Sequence, residues 1–327
     1  MIFDILGTLS FKSEFEFSLK DLPLSQNIFE DSNHIKGTLK SNNFQVAFLF
    51  RGNYEDSIFE NEDFIIIIIN EVLPKQNNTK FISSNYPFIS SKELHAIYKQ
   101  IDPEIIHYIK GNFQVIIHNK NDKSCKIFNN RFGISPFYYS FKDNILIFST
   151  SLSTMTLYIT ENSPDKIGIV EYAIFGYPLG DRTLLEDIKI LPPASYLIVK
   201  DDSVEIKKYW DLKNLLGQEL HSEKEALEIG SELFKEIVNQ YVIEPEKICL
   251  SLTGGFDGRA ILAVLEKDPD DFVCYSFGIP GSLNISIPEK ICRENNINYL
   301  PIYLDEDYEK VFDDYALQAI YYSDCLS

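Results

Sequence analysis

Residues 247–268, KICLSLTGGFDGRAILAVLEKD, hold the reading that decides the fold. An apolar run of strand length enters the turn Thr-Gly-Gly-Phe-Asp-Gly-Arg, and a second apolar run leaves it at helical spacing. Working outward, the spacing predicts a strand over 247–252, a helix over 258–266 and a strand over 272–277, then a helix over 287–296 and a strand over 299–304. Such β-α-β-α-β alternation predicts a parallel sheet joined by right-handed crossovers. Upstream, SEKEALEIGSELFKEIVNQYV reads as a long amphipathic helix. It opens on a capping box, Ser222 with Glu225, and carries a stripe through Ala226, Ile229, Leu233, Ile237 and Tyr241 that is expected to face a core.

In a parallel sheet, ligands bind beyond the carboxyl ends of the strands, where helices begin. Gly254 and Gly255 fall at that point. Glycines there permit positive φ and let successive backbone N–H groups converge on an anion, helped by the N-terminal charge of the following helix. Thr253 offers a hydroxyl and Arg259 a fork of donors, both suited to phosphate oxygens. A lone carboxylate at Asp257 would repel phosphate unless it held Mg²⁺, which takes oxygen ligands and bridges to phosphates. The same residues also suit a plain βα turn with Asp257 near the helix N-terminus. A Rossmann or Walker site fits less well: there is no G-x-G-x-x-G, and no Gly-Lys-Ser/Thr follows.

Ahead of residue 210 the texture differs. FQVAFLF, FIIIIIN, NFQVIIHN, SCKIFNN, PFYYSF, ILIFSTS and SYLIVK fit short strands, with NKNDKS as a polar hairpin turn. SSKELHAIYKQI and DKIGIVEYAIFG interrupt them as helices, giving an α+β domain dominated by antiparallel sheet, with a boundary near 205–220. A length of 327 residues suits about two domains. The formal net charge of −19, with no basic patch, argues against a nucleic-acid partner. Five cysteines without a CxxC pair read as reduced, with Cys249 and Cys274 packing as small hydrophobes in apolar runs, and the five histidines lack zinc spacing. The start, MIFDILGTLSF, has no basic region of a signal peptide, and the apolar run at 64–69 is far short of a bilayer span. The expectation is a cytoplasmic protein with no membrane partner.

The loop LSLTGGFDGRAIL resembles the S-G-G-x-D-S pyrophosphate loop of the ATP pyrophosphatase domain in asparagine synthetases and relatives such as β-lactam synthetases and lasso-peptide cyclases. The resemblance extends over most of the chain. GNFQVIIHNKNDKSCKIFNNRFGISPFYY is similar to the family's G-x-F-A…R-D-R-x-G-x-K-P-L-Y-Y segment, with Arg131, Gly133, Pro136, Tyr138 and Tyr139 in matching places. IFSTSL resembles F-A-S-E-L, and residues 183–211 resemble the T-L-F-x-G-I…L-P-P-G…Y-W segment. Residues 274–305 run like the family's second strand and helix.

That resemblance implies an α+β N-terminal domain over 1–212, an antiparallel Ntn-hydrolase-like sandwich of glutamine amidotransferase type. An incomplete α/β parallel-sheet ATP pyrophosphatase domain over 213–327 would follow. It implies ATP and Mg²⁺ as cofactors, a nucleotide and a carboxylate as ligands, and amide formation through an acyl-adenylate. Carried over by position, Thr253, Gly254, Gly255, Asp257 and Gly258 form the pyrophosphate loop, with Ser251 and Arg259 beside it and Asp257 as the magnesium ligand. Ser276, Phe277 and Gly278 would lie near adenine; a core aromatic is the competing reading of Phe277.

The chain departs from the family in four places. FDILG aligns with C-G-I-x-G, placing Phe3 where a thiolate should attack the glutamine amide. The R-G-P-D stretch is reduced to FRGNYED, and this domain is therefore read as a non-catalytic scaffold, as in β-lactam synthetases. In the loop, Thr253 and Gly258 stand for two serines; Thr keeps the hydroxyl, while Gly258 gives up a phosphate donor that Arg259 would replace. The later Gly/acidic turn and catalytic Lys are not found before the closing LQAIYYSDCLS, where Asp324 is read as solvated. A parallel sheet ending there is expected to expose apolar surface, which points to a homo-oligomer or a partner chain. Two rival readings follow, a split-gene or regulatory subunit whose partner supplies the missing half, and a truncated product without function.

Overall fold

The computed structural model describes residues 2–11, 35–50, 54–75, 88–101, 104–159, 163–216, 222–242 and 248–322. Asp324, Cys325, His34 and residues 51–53 of the FRGNYED stretch lie outside them. Two compact units result, one of residues 1–216 with 320–327 and one of residues 217–319.

The first unit opens with β1 (Ile2–Ser10), β2 (Ile35–Lys40) and β3 (Phe44–Phe50), then α1 (Tyr54–Ser57), β4 (Ile58–Glu60) and β5 (Phe64–Asn70). After β6 (Leu73–Pro74) come α2 (Ser91–Ile101), β7 (Ile109–Lys110), β8 (Phe113–Asn119) and β9 (Cys125–Asn129). The unit continues through β10 (Tyr138–Lys142), β11 (Ile145–Ser149), α3 (Leu152–Thr156), α4 (Lys166–Phe175), β12 (Lys189–Ile190), β13 (Ser195–Lys200) and β14 (Ser203–Lys208). Two six-stranded antiparallel sheets form, in the orders β12-β10-β11-β1-β3-β2 and β14-β13-β9-β8-β5-β4.

The five consecutive isoleucines of β5 show how the layers stack. Ile65, Ile67 and Ile69 join Phe44, Phe48 and Phe148 in the core between the sheets. Ile66 and Ile68 point the other way, into a second core with Leu94, Ile97 and Tyr98 of α2. A third core sets Met155 of α3 against Leu6, Ala47 and Leu49 on the outer face of the first sheet. The unit is thus a helix–sheet–sheet–helix stack, and a strand apolar at every position is what burial on both faces requires. The hairpin expected at NKNDKS joins β8 to β9, and Ser90 with Glu93 caps α2 reciprocally.

The second unit runs α5 (Glu223–Tyr241), β15 (Ile248–Ser251), α6 (Phe256–Val264), β16 (Phe272–Gly278), α7 (Leu283–Glu294), β17 (Asn298–Tyr303) and all but the last turn of α8 (Glu306–Tyr322). Its three strands pair in parallel, in sequence order. Leu252, Phe272, Cys274 and Cys292 are fully enclosed between the sheet and its helices, with Leu250, Leu262, Ile291 and Tyr299 packed around them. Asn239 of α5 fastens that helix to the end of α6, accepting from Glu266 N and donating to Val264 O, both at 2.8 Å.

Three expectations need correction here. The capping box at Ser222 is present, but Ile229, Leu233, Ile237 and Tyr241 of the α5 stripe lie exposed instead of facing a core. Cys249 is exposed because odd positions of β15 face away from α6, while Cys274 is buried as expected. The helix expected over 287–296 begins at Leu283 and carries Pro288 inside it. Pro288 is the sixth residue of this helix, beyond the first turn that accepts proline freely, and it lacks the N–H that would bond to Asn284 O.

Candidate functional site

The turn between β15 and α6 stands at the carboxyl end of the parallel sheet. Helix α6 starts at Phe256, two residues before the position expected from sequence, so Asp257 and Gly258 belong to its first turn. Gly255 is the N-cap, and no side chain caps the helix. The first N–H groups of any helix have no intrahelical acceptor, so those of residues 256–258 point out of the helix end as donors. Asp257 is exposed beside them.

The glycines sit here for a reason other than the one expected. Neither Gly254 nor Gly255 has positive φ, and Gly255 is extended at φ −70°. Gly254 is held instead by a close approach, since a Cβ on it would come 3.2 Å from Leu283 O at the start of α7. Gly258 also serves packing: a Cβ there would meet Ser251 O at 2.6 Å, so its lack of a side chain lets α6 lie directly on β15. The Gly255 N–H is already taken by Thr253 Oγ1 at 3.1 Å. Arg259 Nε donates to Gly255 O at 2.9 Å, which ties the guanidinium to the turn and turns only its terminal nitrogens outward. Ser251 is exposed at the end of β15.

Across the sheet end, the three residues expected near adenine have different environments. Phe277 is 53% exposed, which overturns its reading as a core aromatic. Ser276 is buried and shares a hydrogen bond with Tyr299 Oη, which itself donates to Ile285 O. Gly278 accepts from Leu304 N, and a Cβ on it would lie 3.0 Å from Ser282 Oγ. Sequence reasoning missed Ser282, the N-cap of α7, whose hydroxyl is buried with no partner. The Gly281–Ser282 pair ahead of Leu283 was the available signal.

Among the described residues no group of three His, Cys, Asp or Glu side chains could hold a metal by itself. A cation at Asp257 would therefore draw most of its ligands from bound phosphates and water, which is how Mg²⁺ is usually held in nucleotide sites. An exposed helix end without a side-chain cap, two glycines before it and one carboxylate in its first turn are compatible with a magnesium–phosphate ligand.

The other unit yields a family match. Residues 78–210 match the glutamine amidotransferase domain family. Over 230 residues the chain is 23% identical to glutamine-hydrolyzing asparagine synthetase 1 of Bacillus subtilis (strain 168), covering 69% of this chain and 35% of that one. Over 275 residues it is 21% identical to a putative glutamine-hydrolyzing asparagine synthetase 2 of Methanocaldococcus jannaschii, covering 80% of this chain and 53% of that one. The chain is similar to asparagine synthetases. The chain spans from about a third to about half of the length of these curated relatives. Among solved structures it aligns with glutamine phosphoribosylpyrophosphate amidotransferase from B. subtilis, complexed with ADP and GMP, at 10% identity and TM-score 0.33, over 80% of this chain and 51% of that one. That likeness adds nothing to the fold described above. No helix among the described residues is long and apolar enough to cross a membrane.

Proposed function

We propose that the second unit binds ATP with Mg²⁺ at the α6 N-terminus and activates a carboxylate as its acyl-adenylate for amide formation, without using glutamine. One observation carries this reading: the uncapped first turn of α6, with Gly254 and Gly255 before it and Asp257 exposed within it. The N–H groups of that turn would bind oxygens of the departing pyrophosphate, where preorganised donors act most strongly because charge develops there. The terminal nitrogens of Arg259, anchored through Gly255 O, would add to that charge stabilisation. Bound Mg²⁺, with Asp257 as its protein ligand, would neutralise charge on the phosphate oxygens. Phe277, exposed at the end of β16, offers a face on which a purine ring can stack.

Independence from glutamine rests on Phe3. It lies on β1, and a benzyl side chain has no lone pair with which to attack an amide. The first unit is then a scaffold in this reading. ATP–pyrophosphate exchange by the full chain tests the proposal when set against Asp257→Asn. Loss of a magnesium ligand should weaken Mg·ATP binding at least about tenfold, or about 1.4 kcal/mol. Binding by calorimetry that ignores the substitution would remove the metal assignment.

A second reading, a subunit completed by a partner polypeptide, is favoured by the bare face of the parallel sheet. Phe277, Leu300 and Ile302 are exposed on the side away from α6 and α7. Parallel sheets are ordinarily covered on both faces. Exchange that appears only when a second polypeptide is added would favour this reading over the first.

A further inference from the structure

Two thiols meet inside the core of the second unit. Cys274 lies on β16, where the alternate residues Phe272, Cys274 and Ser276 are buried. Cys292 closes the inner face of α7, following Ile285 and Pro288 at the three- and four-residue spacing of a helix face. Both side chains are enclosed, at 0% and 1% exposure. Their sulfurs are in hydrogen-bonding contact, the Cys274 thiol donating and Cys292 accepting.

One buried cysteine packs as a small hydrophobe, but two in contact can also form a bond. A bond here would tie the middle strand of the parallel sheet to a helix that lies on it. The core around the pair has four enclosed residues, and a core so small opens locally at low cost. Such opening admits a reagent that the closed unit excludes.

We propose that Cys274 and Cys292 close into a reversible disulfide that clamps α7 onto β16 when the chain meets a small-molecule disulfide such as oxidised glutathione. The Cys292 sulfur attacks first, because the hydrogen bond from Cys274 favours its thiolate and so opposes the effect of burial. Its attack on glutathione disulfide breaks that S–S bond and releases one glutathione, which takes up the proton Cys292 has lost. Cys274 then gives up its proton and attacks the Cys292 sulfur of the mixed disulfide, expelling the second glutathione. Two protein thiols are oxidised by two electrons, and one glutathione disulfide is reduced to two thiols. This device goes beyond the nucleotide reading and holds whether or not a nucleotide binds.

The test uses the full chain with Cys249→Ser and Cys325→Ser, which leaves the pair and Cys125, buried in the first unit. The protein is incubated with oxidised glutathione in urea just below its dichroism midpoint, and the remaining thiols are then alkylated in full denaturant. Peptide mapping should find Cys274 linked to Cys292. The link closes a loop of about 20 residues, so the urea midpoint read by helical dichroism should rise by roughly 1 M, and dithiothreitol should reverse the rise. Adding Cys274→Ser should leave glutathione attached at Cys292, and adding Cys292→Ser should abolish both link and shift. Cys274 and Cys292 both found alkylated, or each carrying glutathione, would overturn the proposal. So would a link that leaves the midpoint unchanged or lowers it; that comparison, with and without dithiothreitol, needs no substitution in the core.

Discussion

His118 stands at the centre of the first unit, fully buried, its ring stacked on Phe44 at 4.6 Å. Its Nδ1 lies 3.0 Å from Ser124 O, which can only accept, so Nδ1 carries the proton and Nε2 is left without a partner. Burial lowers its pKa to about 4, and the bond to Ser124 opposes that only in part. The unfolded chain takes up this proton near pH 6.5, while the folded chain resists until about pH 4. Between those values the unfolded state binds more protons, so stability falls as pH falls through the window. The full difference is roughly 3 kcal/mol. Urea unfolding of wild type and His118→Gln from pH 7 to pH 4 checks this: the wild type should lose that much more stability across the range. Equal losses would show that His118 titrates normally. None of this was legible in NFQVIIHN as a sequence. Alternation places a residue on a face, but the closing of both faces of β8 depends on β5, β9 and a helix far away in the chain.

Elements were read more surely than their ends. The β-α-β-α-β order around the twin glycines is present, because apolar periodicity and turn residues act locally. The starts of α6 and α7 were misplaced by two and four residues, because the glycine cap of α6 is a weak signal and the Ser282 cap of α7 makes no side-chain bond to its helix. Contacts between elements also decided what the glycines are for. Gly258 of α6 faces a backbone carbonyl, which cannot move aside, whereas Gly230 of α5 has open space around its Cα. Substitution should separate the two. Gly258→Ala should destabilise the second unit by about 1–3 kcal/mol through overpacking. Gly230→Ala should stabilise it by up to about 1 kcal/mol, since alanine favours the helix. Helical circular dichroism in a urea titration reads both. A neutral Gly258→Ala would mean that α6 does not press on β15 as closely as 2.6 Å implies.

At the scale of the molecule the two units differ in how much core they own. The first has three clusters, on both sides of two sheets and between them. The second has one, in which four residues are fully enclosed, and its sheet is covered on a single face. Buried apolar area is the main favourable term in folding, so the second unit should unfold at lower denaturant. Two probes separate the units. Trp210, the one tryptophan of the chain, belongs to the first unit and packs on Phe132 and under Arg131. The four helices α5, α6, α7 and α8 start in the second unit and together supply most of the helical signal. The circular dichroism midpoint in urea should therefore precede the tryptophan fluorescence midpoint, whereas coincident curves would mean one cooperative transition. Mg·ATP then supplies the decisive arm. A ligand that binds only the folded second unit stabilises it by about 2.7 kcal/mol at one hundred times its Kd, so the dichroism midpoint should rise while the fluorescence midpoint stays. A rise in fluorescence alone would move the nucleotide to the first unit, away from the turn at Gly254.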